Sequence, residues 1–237
     1  VLLGGGRLLV EITNVCVSKN IPIKVLTSPR HAYENIDNDL TLQGFCKHNN
    51  IDFLVTDDIG SEEVKVFLPN LSQALCLCFG AAWIIKPDII KSLFKDRLFN
   101  LHGTRLPQNR GGGSFSWQIM MGNRLGFCQL HLVDSGIDTG DLVKTVEFLY
   151  PSSCRKPVDF DNFYIEMNVD FISKFIHETM SHSSVINTTN QLEYFSTYWP
   201  RLNTQKNSWI DWGDNVEAIE KFVCAFDDPY GGARTLL

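Results

Sequence analysis

The feature that most restricts the fold is a repeating alternation. Short runs rich in β-branched and aromatic residues, IKVLTS (23–28), IDFLVT (51–56), ALCLCFG (74–80) and LFNLHG (98–103), are separated by polar stretches of helical character. Strands that are apolar on both faces need cover on both, and connections of this length suit crossover helices. The pattern therefore predicts an α/β fold with a largely parallel sheet and helices on both faces. The opening, VLLGGGRLLVEITNVCVSKN, fits this as a short strand, a glycine turn and a helix with apolar positions at Leu8, Leu9, Ile12 and Val15 or Cys16. Gly4, Gly5 and Gly6 invite a dinucleotide reading, but G-x-G-x-x-G is absent and the nicotinamide signal is weak. The chain starts without Met on the stub of a strand, so further residues are expected upstream. In such sheets ligands gather at the carboxyl ends of strands, and Gly80 and Asn100 fall at two of those ends.

A length of 237 residues suffices for one sizeable core, or for a domain of roughly 180 residues with a smaller appendage. The net charge of −6 and pI near 5.5 argue against a broad basic footprint, hence against a nucleic-acid partner. No apolar run approaches the roughly 20 residues of a membrane span and no signal peptide is visible, so the default localisation is cytoplasmic, with no membrane partner. The seven cysteines are odd in number, and most, including Cys16, Cys76, Cys78, Cys128 and Cys224, lie in apolar runs as expected of reduced core thiols. Cys76 and Cys78 lack the spacing of a redox or zinc pair, and no metal is expected.

Chemistry concentrates between positions 99 and 143. Asn100 and His102 alternate with apolar Phe99 and Leu101 at the end of a strand, so their side chains share one face. Asp138 follows in DSGIDTGD, where Gly136 and Gly140 let the backbone fold back and bring the acid toward an imidazole. An imidazole that takes a proton from an amine, a carboxylate that stabilises the imidazolium and a carboxamide N–H that binds a developing oxyanion are the requirements of acyl transfer to an amine. The same residue types also fit a strand-end histidine, an Asx-turn aspartate and an asparagine that satisfies backbone groups. Between them, Leu106-Pro107 and Gly111-Gly112-Gly113 make a loop that is neither regular helix nor strand. Arg105 and Arg110 flank it and suit a phosphate, or equally a solvated or salt-bridged role. His131 falls in the alternating CQLHLVD and reads as a packed or surface residue rather than a second catalytic imidazole.

The order N-x-H, LP-x-x-RG, a Trp and then D-x-GIDTGD resembles the folate-dependent formyltransferase family. IKVLTSPRHA, CLCFGAAWIIKPDII and IDWGDNVEAIEKFVCAFDDPYGGA extend the likeness over nearly the whole chain. The resemblance implies a Rossmann-like catalytic domain in which Asn100, His102 and Asp138 are catalytic. Gly80, Trp83, Ile84, Asp134 and Asp138 would face the folate, with Ile85 in the same loop, and Arg105, Arg110 and Tyr230 would face the acceptor. It further implies 10-formyltetrahydrofolate as donor, no metal, and a primary amine as acceptor. Among the family's acceptors, a nucleotide-linked amino sugar fits best, a dTDP-4-amino-4,6-dideoxyhexose of bacterial surface polysaccharide (O-antigen) synthesis. A methionyl-tRNA formyltransferase-like enzyme and a non-catalytic folate or nucleotide-sugar binding module are the alternatives. The chain departs from the common family pattern at Thr104, often Ser, and at GGSF, where Pro often stands.

Trp117 to Met121 is expected to be helical and LVKTVEF (142–148) a strand. From Asp159 to His182, Phe160, Phe163 or Tyr164, Met167, Phe171, Phe175 and Met180 recur at helical spacing, predicting a core-facing helix with His177 and His182 solvated. The expected division is a catalytic domain over 1–186 and a small C-terminal extension over 187–237, with a helix from Val216 to Phe226, that contributes to the acceptor site and a homodimer contact. Tyr230 stacks on a sugar or base, or is an ordinary turn aromatic.

Overall fold

The computed structural model describes residues 1–37, 40–181 and 186–236, which leaves the expectation for His182 outside the described residues. Seven strands form one sheet: β1 (Leu2–Gly4), β2 (Lys24–Thr27), β3 (Asp52–Val55), β4 (Cys76–Phe79), β5 (Leu98–His102), β6 (Leu125–Leu132) and β7 (Leu142–Leu149). Their order is β7-β6-β5-β4-β1-β2-β3. The pairs β1–β2, β1–β4, β2–β3 and β4–β5 are parallel, with Cys78 opposite Asn100. The order reverses between β1 and β4, the topological switch of a doubly wound sheet. This is the α/β fold with a largely parallel sheet expected from the alternation, and it is Rossmann-like as the resemblance implied.

Helices follow the predicted segments. The first, α1 (Gly6–Ser18), buries Leu8, Leu9, Ile12 and Cys16 as its spacing requires, and also Val10 and Thr13. The Trp117 segment belongs to α2 (Ser114–Met120), the aromatic stripe to α3 (Pro157–Ser181), and the last helix is α4 (Val216–Ala225). Asn215 caps α4 by accepting from the Ala218 N–H at 2.9 Å. All seven cysteines are free thiols, and among the described residues no helix is long and apolar enough to cross a membrane.

The chain divides into two compact units that interleave in sequence instead of following a 1–186 and 187–237 order. The first comprises 1–101, 130–144 and 168–190, and the second 102–129, 145–167 and 191–237. In the first, Leu3, Leu26, Cys78, Phe94 and Leu98 belong to a core on which Leu54, Trp83 and Val133 pack. In the second, Ile119, Tyr150, Phe160, Ala225 and Phe226 form the core, with Phe115, Phe163 and Phe222 against it. The physical reason for the interleaving is contact: most of the expected C-terminal extension packs with 102–129 and 145–167, while 187–190 stay with the first unit, where Leu142 and Thr189 exchange backbone hydrogen bonds at 2.8 Å.

Candidate active site

In the first unit, β5 places Asn100 as its one half-exposed position between buried Phe99 and Leu101. Phe99 meets Phe175 edge-on at 5.8 Å, so the carboxamide lies on the opposite face of the strand. The Asn100 Nδ2 donates to His131 Nε2 at 3.0 Å and reaches Asp138 Oδ1 at 3.5 Å. The same carboxylate oxygen lies 3.5 Å from His131 Nε2. On the far side of the ring, His131 Nδ1 is 2.7 Å from the Leu132 carbonyl oxygen.

The turn after β6 brings Asp138 to this cluster. Asp134 Oδ1 accepts from the Gly136 N–H at 3.1 Å and the Thr139 hydroxyl at 2.5 Å, which closes the turn on itself. Asp138 adopts φ +55°, a left-handed conformation that aspartate tolerates better than most residues. Gly140 is required by space, because a Cβ there would sit 1.9 Å from the Leu132 carbonyl oxygen. Leu132 N–H donates to Asp141 O at 2.9 Å and Val133 N–H to Leu98 O at 2.8 Å, tying the turn to the end of β6 and to β5. Burial pushes the Cys78 thiol up to about 12, and the Asp138 charge adds to the shift, so this cysteine stays protonated.

Two further features stand at the carboxyl ends of strands in the same unit. Gly80, directly after β4, has φ +58°, and open space surrounds the position a Cβ would take. Beyond it, Trp83 packs on the core and donates from Nε1 to Thr56 O at 3.2 Å. Ile84 is 85% exposed, whereas Ile85 is buried. An extended apolar loop with an open glycine suits the face of a flat ring.

His102, at the end of β5, belongs to the second unit and is 8% exposed. Its Nε2 lies 2.8 Å from both Asn109 O and the Thr104 hydroxyl, and that hydroxyl donates to Asn109 O at 2.9 Å. A hydroxyl whose hydrogen goes to a carbonyl can only accept from the ring, so Nε2 carries the hydrogen and Nδ1 is the basic nitrogen. Thr104, a departure from the common pattern, thus fixes the tautomer of the candidate base. The following loop is held by Leu106 N–H donating to Gln129 Oε1 at 2.8 Å.

Arg110 differs from the expectation of a phosphate contact. Its guanidinium is buried, donates to Gln191 Oε1 from Nε and Nη2 at 3.3 and 3.1 Å, and pairs with Glu193 Oε2 from Nη1 at 2.7 Å. These bonds use three of its five N–H groups, and the Glu193 carboxylate offsets the charge that would attract an anion. Around it the 197–199 backbone pairs with 107–112, through Arg110 N–H to Thr197 O at 3.1 Å and Gly112 N–H to Trp199 O at 2.9 Å. Arg105 is exposed, and its guanidinium makes no hydrogen bond or ion pair among the described residues. Tyr230 is 37% exposed; burial is the main cause that pushes its phenol above the ordinary range, with Asp161 adding and Arg201 opposing.

The structure therefore brings together Asn100, Asp138 and a residue read as packing, His131. Its signal in sequence was its place three residues before Asp134 in an alternating strand, where it shares a face with Gln129 rather than with Leu130. Thr104 carried a signal too, two residues from His102 on a loop. Among the described residues, no three His, Cys, Asp or Glu side chains form a group able to hold a metal ion.

No family model matches the chain. Sequence relatives include the methionyl-tRNA formyltransferase of Finegoldia magna, 27% identical over 128 residues, covering 54% of this chain and 41% of that protein. The bifunctional polymyxin resistance protein ArnA of Wigglesworthia glossinidia brevipalpis is 26% identical over 176 residues, covering 72% of this chain and 25% of that protein. The chain thus spans less than half the length of either relative. Among solved structures, WlaRD, a sugar 3N-formyltransferase seen with dTDP and 5-N-formyl-THF, superposes with a TM-score of 0.75 at 21% identity, over 95% of this chain and 78% of that one. An N-formyltransferase from Helicobacter canadensis in complex with folinic acid and dTDP-3-aminofucose gives 0.74 at 19% identity, over 95% and 80%. The fold is that of the sugar N-formyltransferases. By sequence the chain is similar to formyltransferases, and by fold it is similar to sugar N-formyltransferases solved with folate compounds.

Proposed function

We propose that the chain is an N-formyltransferase that moves a formyl group from 10-formyltetrahydrofolate to the amine of a nucleotide-linked amino sugar. The observation that carries this reading is the carboxamide, carboxylate and imidazole cluster of Asn100, Asp138 and His131 at the carboxyl ends of β5 and β6, in a chain whose relatives are formyltransferases. The donor supplies an activated formyl carbon. The open glycine at Gly80 and the exposed Ile84 fit the face of its ring system.

His102 takes the proton of the attacking amine on Nδ1 and returns it to the departing folate nitrogen, so one C–N bond forms as the other breaks and charge balances. Asn100 holds a reacting group by hydrogen bonding, and the Asp138 carboxylate beside it stabilises positive charge as it develops on the attacking nitrogen. The acceptor side is formed by the loop bearing Arg105 and by Tyr230. A dTDP-4-amino-4,6-dideoxyhexose for surface polysaccharide is the acceptor we favour, formylated in the cytoplasm by this chain as a homodimer joined through residues 187–237. The two superposed sugar enzymes named above act on or bind 3-amino compounds, so both amine positions belong in the assay. The methionyl-tRNA reading has support in the sequence relatives, while the net charge of −6 opposes a large RNA acceptor.

The test is incubation with 10-formyltetrahydrofolate and dTDP- or UDP-linked 3-amino and 4-amino sugars, with mass spectrometry for a formyl gain. One formylated product supports the reading. Folate binding without product from any sugar transfers the assignment to methionyl-tRNA, and failure there too leaves a binding module. His102→Asn, Asn100→Ala and Asp138→Ala are each expected to lose most turnover while remaining folded; near-normal rates in a folded His102 variant exclude the mechanism.

A further inference from the structure

We infer that His131 is a positioning residue that fixes the Asn100 carboxamide with its nitrogen turned inward and its oxygen presented to the reacting amine. The hydrogen-bond directions follow from the partners. The Leu132 carbonyl can only accept, so His131 Nδ1, 2.7 Å away, carries the ring hydrogen. In a neutral ring Nε2 then holds a lone pair and accepts from Asn100 Nδ2 at 3.0 Å. Asp138 selects the same orientation independently. Turning the amide over would set Asn100 Oδ1 against the carboxylate oxygen now 3.5 Å from Nδ2, and against the Nε2 lone pair, two repulsive contacts in place of two attractive ones.

The consequence concerns Asn100 itself. With Nδ2 turned toward His131 and Asp138, the end of the amide that faces away from them is Oδ1, which accepts no hydrogen bond from any described residue. Asn100 is therefore an acceptor. It aligns an N–H of the attacking amine, leaving the nitrogen lone pair free to attack, instead of donating to the oxyanion as the residue types alone suggested. The identity of that N–H as the acceptor amine rests on the formyl-transfer reading, but the orientation of the carboxamide does not.

The orientation is accessible without turnover. In 15N-labelled protein, long-range 1H–15N correlations of the imidazoles, assigned by loss of one ring system in His131→Gln, are expected to show the Nδ1–H tautomer at His131. An Nε2–H tautomer overturns the proposal. In the formyl-transfer assay, His131→Leu, which has no acceptor, is expected to lower kcat by about tenfold or more with the KM for the donor unchanged, the scale of one well-placed hydrogen bond in the transition state. His131→Gln, whose Oε1 can accept at the position of Nε2, is expected to recover most of that loss. Equal loss in both variants, or an unchanged kcat in a folded His131→Leu, refutes the positioning role. Absence of formyl transfer with the Nδ1–H tautomer intact removes the proposed reaction and leaves the assigned orientation standing.

Discussion

Tyr150→Phe is expected to make the protein more stable. Tyr150 is 0% exposed, its hydroxyl oxygen is buried, and it has no hydrogen-bond partner among the described residues. The ring is well packed, 4.3 Å from Phe160, 5.0 Å from Phe148 and 5.8 Å from Phe163 between centroids. The substitution keeps those contacts and deletes only the hydroxyl. A polar group desolvated without a partner costs about 1–3 kcal/mol, offset by the few dispersion contacts of one oxygen atom. The net gain is therefore about 1 kcal/mol, or roughly 2–4 °C in Tm for a chain of this length. Burial pushes the phenol far above its ordinary range, so the group is neutral in the folded protein and the gain is expected to be constant between about pH 6 and pH 9. Chemical denaturation and differential scanning calorimetry of both proteins measure it. A variant less stable by about 1 kcal/mol would mean that the hydroxyl forms a hydrogen bond in the folded state, and the reasoning would fail.

Other perturbations follow from the two units. Gly140→Ala drives a methyl group into the Leu132 carbonyl, backbone against backbone, and should cost about 1–3 kcal/mol by denaturant titration. Because that carbonyl orients His131, the initial rate of formyl transfer should fall with it. The Arg110 guanidinium, and then the Ser196 hydroxyl, hold the Glu193 carboxyl below its usual range. Its folded pKa is depressed, so the stability it contributes is present above the unfolded value near 4.5 and is lost as pH falls through the folded one. Glu193→Gln should therefore be less stable than the parent at pH 7, with the difference shrinking as the pH is lowered from 5 toward 3, as read from Tm across that range.

The strands were legible because each is short, apolar and bounded by polar helical sequence, information that lies within a few neighbours. The runs at 23–28, 51–56, 74–80 and 98–103 became β2, β3, β4 and β5, and DSGIDTGD became a turn closed by its own Asp134. What the sequence did not disclose is non-local. The parallel pairing of Tyr198 and Trp199 with Arg110 and Gly111 joins segments with no shared periodicity. The division into units was hidden for the same reason: β5, β6, β7 and α3 each run from one unit into the other, so no compositional break marks the boundary.

The same distinction explains the two residues whose chemistry changed most. Arg110 and His131 were judged by type and immediate neighbours, but their partners lie far along the chain, Gln191 and Glu193 at separations of 81 and 83 residues and Asn100 at 31. A guanidinium beside glycines reads as an anion site until a carboxylate arrives to neutralise it. An imidazole in an apolar strand reads as packing until an amide is found donating to it. Once both are assigned, the roles redistribute in a consistent way. The buried Arg110 holds the 191–199 segment to the glycine loop, the exposed Arg105 remains as the cation of that loop with no partner among the described residues, and His131 turns Asn100 from a donor into an acceptor.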